Sequence, residues 1–136
     1  MPAGSLNWLE GETSRLMDGQ SQGAKLFRRY IEELRQHLLD LKTGKADRCF
    51  EIEDFASMLC VSAGHLSNSL HQIIGRSTCS LYEEGLLQVA KELLAEGTLP
   101  VGQIARQLHY DPSNFGKFFK SYMGITPGSY RRSLLL

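Results

Sequence analysis

Two stretches of the chain, residues 50–75 and 99–124, carry the same pattern of apolar, small and turn-forming residues. Each contains an apolar residue followed by alanine, then a leucine three residues later, and each ends at a glycine. A large apolar residue lies nine residues before that glycine in both stretches, so their registers agree. An internal repeat of this kind predicts two copies of one structural unit. The matching positions are Phe55-Ala56, Leu59, Leu66 and Gly75 in the first stretch, and Ile104-Ala105, Leu108, Phe115 and Gly124 in the second.

Each stretch predicts two short helices joined by a tight turn. Ser62, and Asp111 before Pro112, are residues that favour the N-terminus of the second helix. Cys60 and His109 stand in the turn, where a residue that tolerates a positive φ is needed. His109 is therefore interpreted as a turn residue rather than a catalytic base. Two helices crossing at such a turn form a helix-turn-helix unit.

The remaining segments also show helical periodicity. Apolar residues recur at steps of three and four from Ala24 to Leu41, which predicts an amphipathic helix. A long connecting helix is predicted from Ser77 to Leu94, and Thr126-Pro127 starts a short last helix. Because no stretch alternates with a period of two for long, the predicted fold is all-α: two helix-turn-helix subdomains joined by a long connecting helix, plus an N-terminal amphipathic helix. The expected segments are a flexible tail at 1–23, the N-terminal helix and linker at 24–49, the first helix-turn-helix at 50–76, the connecting helix at 77–98, and the second helix-turn-helix with the C-terminal helix at 99–136.

The formal net charge is zero, but the charge is unevenly distributed. Residues 1–49 carry eight basic and seven acidic residues, a net charge of +1. Residues 50–98 carry two basic and seven acidic residues, a net charge of −5, whereas residues 99–136 carry five basic and one acidic, a net charge of +4. The last third is thus a small cationic unit within a neutral chain.

Several classes of function lack their sequence signals. No apolar run approaches the length of about 20 residues that a membrane span needs, and no secretory signal precedes the first helix. The three cysteines, Cys49, Cys60 and Cys79, have no Cys-x-x-Cys spacing, which argues against a zinc site and favours a reducing compartment. No nucleophile or phosphate-loop signature is present. We therefore expect no catalytic residues, no metal and no cofactor, no membrane contact, and a cytoplasmic protein.

The second stretch and its continuation carry a more specific pattern. Ile-Ala is followed by a turn, then by Phe-x-x-x-Phe-Lys, Gly-x-Thr-Pro and Tyr-Arg. From about Phe50 to Arg132, the chain resembles the paired helix-turn-helix DNA-binding domain of the AraC/XylS transcription regulators. The residues that carry the resemblance are Ile104-Ala105, Phe115, Phe119-Lys120, Gly124-Ile125-Thr126-Pro127 and Tyr130-Arg131.

The resemblance implies a sequence-specific regulator of transcription that binds double-stranded DNA and is not an enzyme. The second helix of each unit would read bases in successive major grooves, about 34 Å apart. By position in the family pattern, the reading residues are Ala63, Gly64, Ser67, Asn68 and His71 in the first unit, and Ser113, Asn114, Lys117 and Lys120 in the second. Arg131 and Arg132 are the expected phosphate contacts.

The first unit departs from the family pattern. Asn68 and His71 stand where the family often has arginine and lysine, and Gly64 replaces a larger side chain. The first unit therefore resembles a weak DNA reader, because phosphate attraction usually supplies much of the affinity. An alternative hypothesis is a protein-interaction module, with a degenerate helix-turn-helix that binds RNA polymerase or another regulator. The protein is expected to be a monomer, or a weak dimer that forms through the N-terminal helix.

Overall fold

The computed structural model describes residues 21–135, which form seven helices and no strand. The predicted all-α fold is confirmed for this part of the chain, whereas most of the predicted tail, residues 1–20, lies outside it. The helices are α1 (Gln22–Thr43), α2 (Ile52–Met58), α3 (Ala63–Ile74), α4 (Thr78–Glu96), α5 (Val101–Gln107), α6 (Pro112–Met123) and α7 (Pro127–Ser133).

The described residues divide into two compact units, and both are discontinuous in sequence. The first unit combines the described residues up to Leu39 with Phe50–Gly85. The second combines Asp40–Cys49 with the chain from Leu86 onward. Each unit therefore contains one helix-turn-helix together with parts of α1 and α4.

The first unit is built on the apolar face of α1, which begins and ends two residues beyond the predicted helix. Its large side chains are buried, and the ring of Tyr30 meets that of Phe55 edge to face, at a centroid distance of 5.3 Å. Burial raises the pKa of the Tyr30 hydroxyl, and the neighbouring Cys79 adds to the effect. The buried α1 residues of this face are Leu26, Phe27, Tyr30, Ile31, Leu34 and Leu38.

A buried histidine connects three segments of the same unit. His37 is only 2% exposed and stacks on Phe50, with ring centroids 4.0 Å apart. Its Nε2 accepts a hydrogen bond from the Phe50 amide at 3.1 Å and lies 2.8 Å from the Tyr82 hydroxyl. The accepted bond requires an unprotonated Nε2, so His37 serves here as a neutral core residue.

Gly85 allows α4 to approach α1 closely within the first unit. A Cβ built on Gly85 would collide with the side chain of Leu38, which is itself buried. Glycine lowers helix stability by about 1 kcal/mol relative to alanine, so its presence in the interior of α4 reflects this close packing.

The second unit places the end of α1 against α5. The Gln107 amide donates hydrogen bonds to the carbonyls of Lys42 at 2.6 Å and of Leu41 at 3.3 Å. The Lys42 ammonium pairs with Glu92 at 2.7 Å. Partial burial acts to lower the pKa of Lys42, but the hydrogen bonds and charges of Glu92 and Glu96 outweigh it and raise the pKa above its usual value. Lys42 is therefore charged at neutral pH, and its ion pair with Glu92 is lost only as the pH rises through the raised pKa of Lys42.

Gly85→Ala should lower the free energy of unfolding by about 1 kcal/mol or more, because overpacking a buried site outweighs the gain in helix propensity. Gly116→Ala in α6 is the matched control, since a Cβ there meets nothing within 4 Å. The control should raise stability by roughly 0.5–1 kcal/mol. Urea denaturation followed by circular dichroism measures both, and a stabilising Gly85→Ala would contradict the close packing.

Candidate nucleic-acid interface

Both helix-turn-helix units turn at a non-glycine residue in the left-handed region. Cys60 has φ +61° and His109 has φ +63°, which confirms the predicted turn positions. The same backbone hydrogen bond closes each turn: the Val61 amide donates to the Ala56 carbonyl at 3.0 Å, and the Tyr110 amide donates to the Ala105 carbonyl at 2.8 Å. Ala56 and Ala105 are buried, and their small side chains leave room for the second helix of each unit to pack closely at this point. The predicted repeat is therefore a repeat of hydrogen bonds as well as of sequence.

The second helix of the first unit, α3, has both predicted ends. Ser62 is the N-cap, and its hydroxyl accepts the His65 amide at 3.1 Å. Gly75 ends the helix in the left-handed conformation, with φ +70°. Leu66 and Leu70 are fully buried and hold the helix against the rest of its unit. The opposite face of α3 is left to solvent.

The five predicted reading residues of α3 are not equally available. Gly64, Asn68 and His71 are exposed, whereas Ala63 and Ser67 are half-buried. The structure brings three of them together with two residues that the sequence analysis missed, in a shallow polar concavity of about 320 Å³. Gln72 could have been found from the helical spacing, since it lies one turn after Asn68; Ser77 follows the end of α3 and has no such signal. The concavity is lined by Ser67, Asn68, His71, Gln72 and Ser77.

The second helix of the second unit, α6, is capped more strongly. The Asp111 carboxylate accepts hydrogen bonds from the amides of Ser113 at 3.0 Å and Asn114 at 3.3 Å, and Pro112 occupies the first turn. An aspartate N-cap also has a favourable interaction with the helix dipole. Gly124 ends the helix with φ +79°. Both predicted ends of α6 are confirmed.

All four predicted reading residues of α6 are exposed. Ser113, Lys117 and Lys120 follow one another at steps of four and three, so they share one face of the helix. Among residues 21–135, neither lysine has an acidic partner within ion-pairing distance. The face therefore presents two uncompensated positive charges to solvent.

Gly116 lies on the same face of α6 and was missed by the sequence analysis. It stands three residues after Ser113 and four before Lys120, and a Cβ built on it would meet nothing within 4 Å. Packing within the protein does not require glycine at this position. A helix without a side chain here lets a partner approach the backbone closely.

The two arginines expected to contact phosphates have different surroundings. The Arg131 guanidinium donates from Nε to the Leu94 carbonyl at 3.0 Å and from Nη2 to the Leu93 carbonyl at 3.4 Å. Arg131 thereby satisfies carbonyls near the end of α4, where the helix dipole favours a cation. Arg132 is exposed, and its guanidinium donates a hydrogen bond to the Ser129 hydroxyl at 3.2 Å. A phosphate contact by either arginine stays a prediction, and the geometry favours Arg132.

Besides this polar and basic surface, the described residues were searched for a metal site and for an activated nucleophile. Within 21–135, no three histidine, cysteine or acidic side chains come together to hold a metal ion. Burial raises the pKa of the Cys79 thiol, and Glu83 beside it adds to the shift, which is the opposite of an activated nucleophile. Over the same residues, no helix combines the length and apolar character needed to cross a bilayer.

Comparison with known families identifies the repeated unit. The sequence profile of a family described as "Helix-turn-helix domain" matches residues 55–133, more than half of the chain. The chain belongs to this family of AraC-type helix-turn-helix domains. The resemblance seen in the sequence is therefore confirmed.

Curated relatives of this AraC-type chain are regulators. The arabinose operon regulatory protein of Salmonella typhimurium is 31% identical over 87 residues, which is 63% of this chain and 31% of the relative. The RCS-specific HTH-type transcriptional activator RclR of Escherichia coli is 31% identical over 81 residues, 59% of this chain and 28% of the relative. The chain thus spans less than a third of the length of these relatives.

Solved structures show the same fold. The C-terminal domain of AraT, a response regulator from Geobacillus stearothermophilus, has a TM-score of 0.69 at 31% identity, covering 83% of this chain and 88% of that one. The C-terminal domain of the two-component response regulator yesN from Fusobacterium nucleatum has a TM-score of 0.62 at 28% identity. The match covers 74% of this chain and 95% of that one.

Arg131→Gln should lower the free energy of unfolding by about 1 kcal/mol, because the carbonyls of Leu93 and Leu94 lose a charged donor. Arg132→Gln, at the adjacent exposed position, should leave stability unchanged. Thermal and urea denaturation of the two variants measures the difference. Equal stabilities for both variants would show that Arg131 does not hold the end of α4.

Proposed function

We propose that this chain is the DNA-binding part of a transcription regulator and recognises specific sequences in double-stranded DNA with α3 and α6. The observation that carries the proposal is the exposed face of α6. It presents Lys117 and Lys120 without acidic partners among the described residues, on a helix capped at both ends, in a chain of the AraC-type family. A capped recognition helix loses little conformational freedom on binding, which favours affinity.

The two units would contribute differently to binding. In α6, Lys117 and Lys120 suit phosphate oxygens or guanine edges, while Asn114 suits adenine. In α3, the surface is polar but uncharged at its centre, where Asn68 and Gln72 can each pair with a base edge. We therefore assign most of the electrostatic affinity to the second unit and base discrimination to both.

The acid-rich residues 50–98 give little support to the alternative of a protein-docking surface. Most of their acidic side chains have intramolecular partners, so few of them remain to attract a basic partner. Glu51 and Asp54 form a capping box at the start of α2, Glu84 pairs with Arg76, and Glu92 and Glu96 pair with Lys42. The family assignment also favours DNA over the alternative of a protein-interaction module. A contact with RNA polymerase and a dimer through α1 stay predictions.

Fluorescence anisotropy with duplex DNA, selected by the protein from a random pool, tests the proposal. Affinity should fall steeply as the salt concentration rises, because neutralised phosphates release counterions. Lys117→Ala should weaken binding by about fivefold or more and lower the steepness of the salt dependence by about one unit.

Lys91→Ala removes the same charge from α4 and serves as the control, with affinity expected to stay at the level of the unaltered protein. Absence of binding at low salt, or affinity that does not respond to salt, would overturn the proposed function. An unchanged affinity for Lys117→Ala would move the contact away from this face of α6.

A further inference from the structure

A concavity with a basic lining lies beside α3, between the first two turns of α1 and the start of α3. It has a volume of about 250 Å³. Four of its side chains are exposed: Gln22, Lys25, Arg29 and His65. The complete lining is Gln22, Lys25, Leu26 and Arg29 from α1, with Val61 and His65 from the start of the second helix of the first unit.

Neither Lys25 nor Arg29 forms an ion pair with an acidic side chain within the described part of the chain. Lys42 and Arg76, by contrast, are paired with acidic side chains. Residues 22–31, the first part of α1, include three basic residues and no acidic residue. The Arg29 guanidinium lies 3.5 Å from the Leu59 carbonyl, which holds it near the turn of the first unit without neutralising its charge.

The helix-turn-helix of the first unit has no lysine or arginine of its own. Residues 52–74, which include α2 and α3, contain neither residue type. Residues 52–74 therefore provide no lysine or arginine side chain to attract phosphate, although phosphate contacts supply much of the affinity of DNA-binding proteins. Arg76, which follows α3, is paired with Glu84, so cations that are not already paired must come from another element of the unit.

The position of the concavity fits the edge of a DNA groove. An α-helix with its side chains is about 10–12 Å across. The major groove is about 12 Å wide. A recognition helix therefore fills the groove, and groups that flank its first turns meet the sugar-phosphate backbone. His65 lies in the first turns of α3, and Arg29 and Lys25 continue from it along α1.

We propose that Lys25 and Arg29, assisted by His65, bind the DNA phosphates that border the bases read by α3. The inference rests on the proposed function and adds a contact surface to it. α1 lies outside residues 55–133, so the family match does not include it. α1 supplies the lysine and arginine side chains that α2 and α3 lack. The first helix-turn-helix, which lies within the acid-rich residues 50–98, therefore binds DNA phosphates through this neighbouring helix.

The test compares the salt dependence of DNA binding for the full chain and the double variant Lys25→Gln/Arg29→Gln. The probe is the selected duplex used above, with a scrambled duplex of equal length beside it. The slope of log K against log salt should fall in magnitude by about two units, since each phosphate contact contributes about 0.9. The loss of affinity should be similar on both duplexes, because phosphate contacts carry no sequence information.

Arg28→Gln is the matched control: it removes an adjacent charge of α1 that does not line the concavity. Its salt slope should match that of the unaltered protein, and Lys25→Arg/Arg29→Lys should retain the slope as well. Because Arg29 also donates to the Leu59 carbonyl, thermal denaturation of each variant establishes that it is folded at the temperature of the binding assay. A double variant with an unchanged slope, or an Arg28→Gln slope reduced as much as the double variant's, overturns the inference. Absence of DNA binding by the unaltered protein overturns the proposed function and this inference together.

Discussion

The left-handed turn is the constraint on which both units of this chain depend. Cys60 and His109 adopt a backbone conformation that costs L-residues about 1–2 kcal/mol. The amide after each of them is bonded to a carbonyl five residues earlier, which fixes the direction in which the chain leaves the first helix. Every later feature of a unit follows from that direction: the N-cap, the buried face of the second helix, and the face that remains exposed.

The features that the sequence predicts are those determined by neighbours in the chain. Turns, caps and helix-ending glycines depend on residues within five positions of each other, so Ser62, Asp111, Gly75 and Gly124 could be assigned before the structure was known. The repeat likewise singled out Leu66 and Phe115, which are both buried in the structure. The ends of α1 were less predictable, because its terminal turns are polar and carry no periodic signal.

Interactions between distant residues were beyond sequence reasoning. Arg131 bonds a carbonyl 37 residues away, and Gln107 bonds one 65 residues away. Neither pairing has a local sequence pattern. Arg131 was therefore expected, from the family resemblance, to contact a DNA phosphate, and Gln107 was not singled out. The reading residues of α6 were predicted from the resemblance to the family pattern, whereas the role of each of them depends on DNA contacts and stays a proposal.

The second unit has a consequence for where this module can be divided. Residues 40–49 belong to it, although they precede the first helix-turn-helix in the chain. They hold the carbonyls that Gln107 uses, the partner of Glu92, and the Ala46 carbonyl that lies 2.9 Å from the His109 ring. A fragment cut at residue 50 would keep both repeats intact but lose the residues that Gln107, His109 and Glu92 contact. The smallest portable unit for fusion to another protein therefore begins ahead of α1, well before the repeat that defines the family.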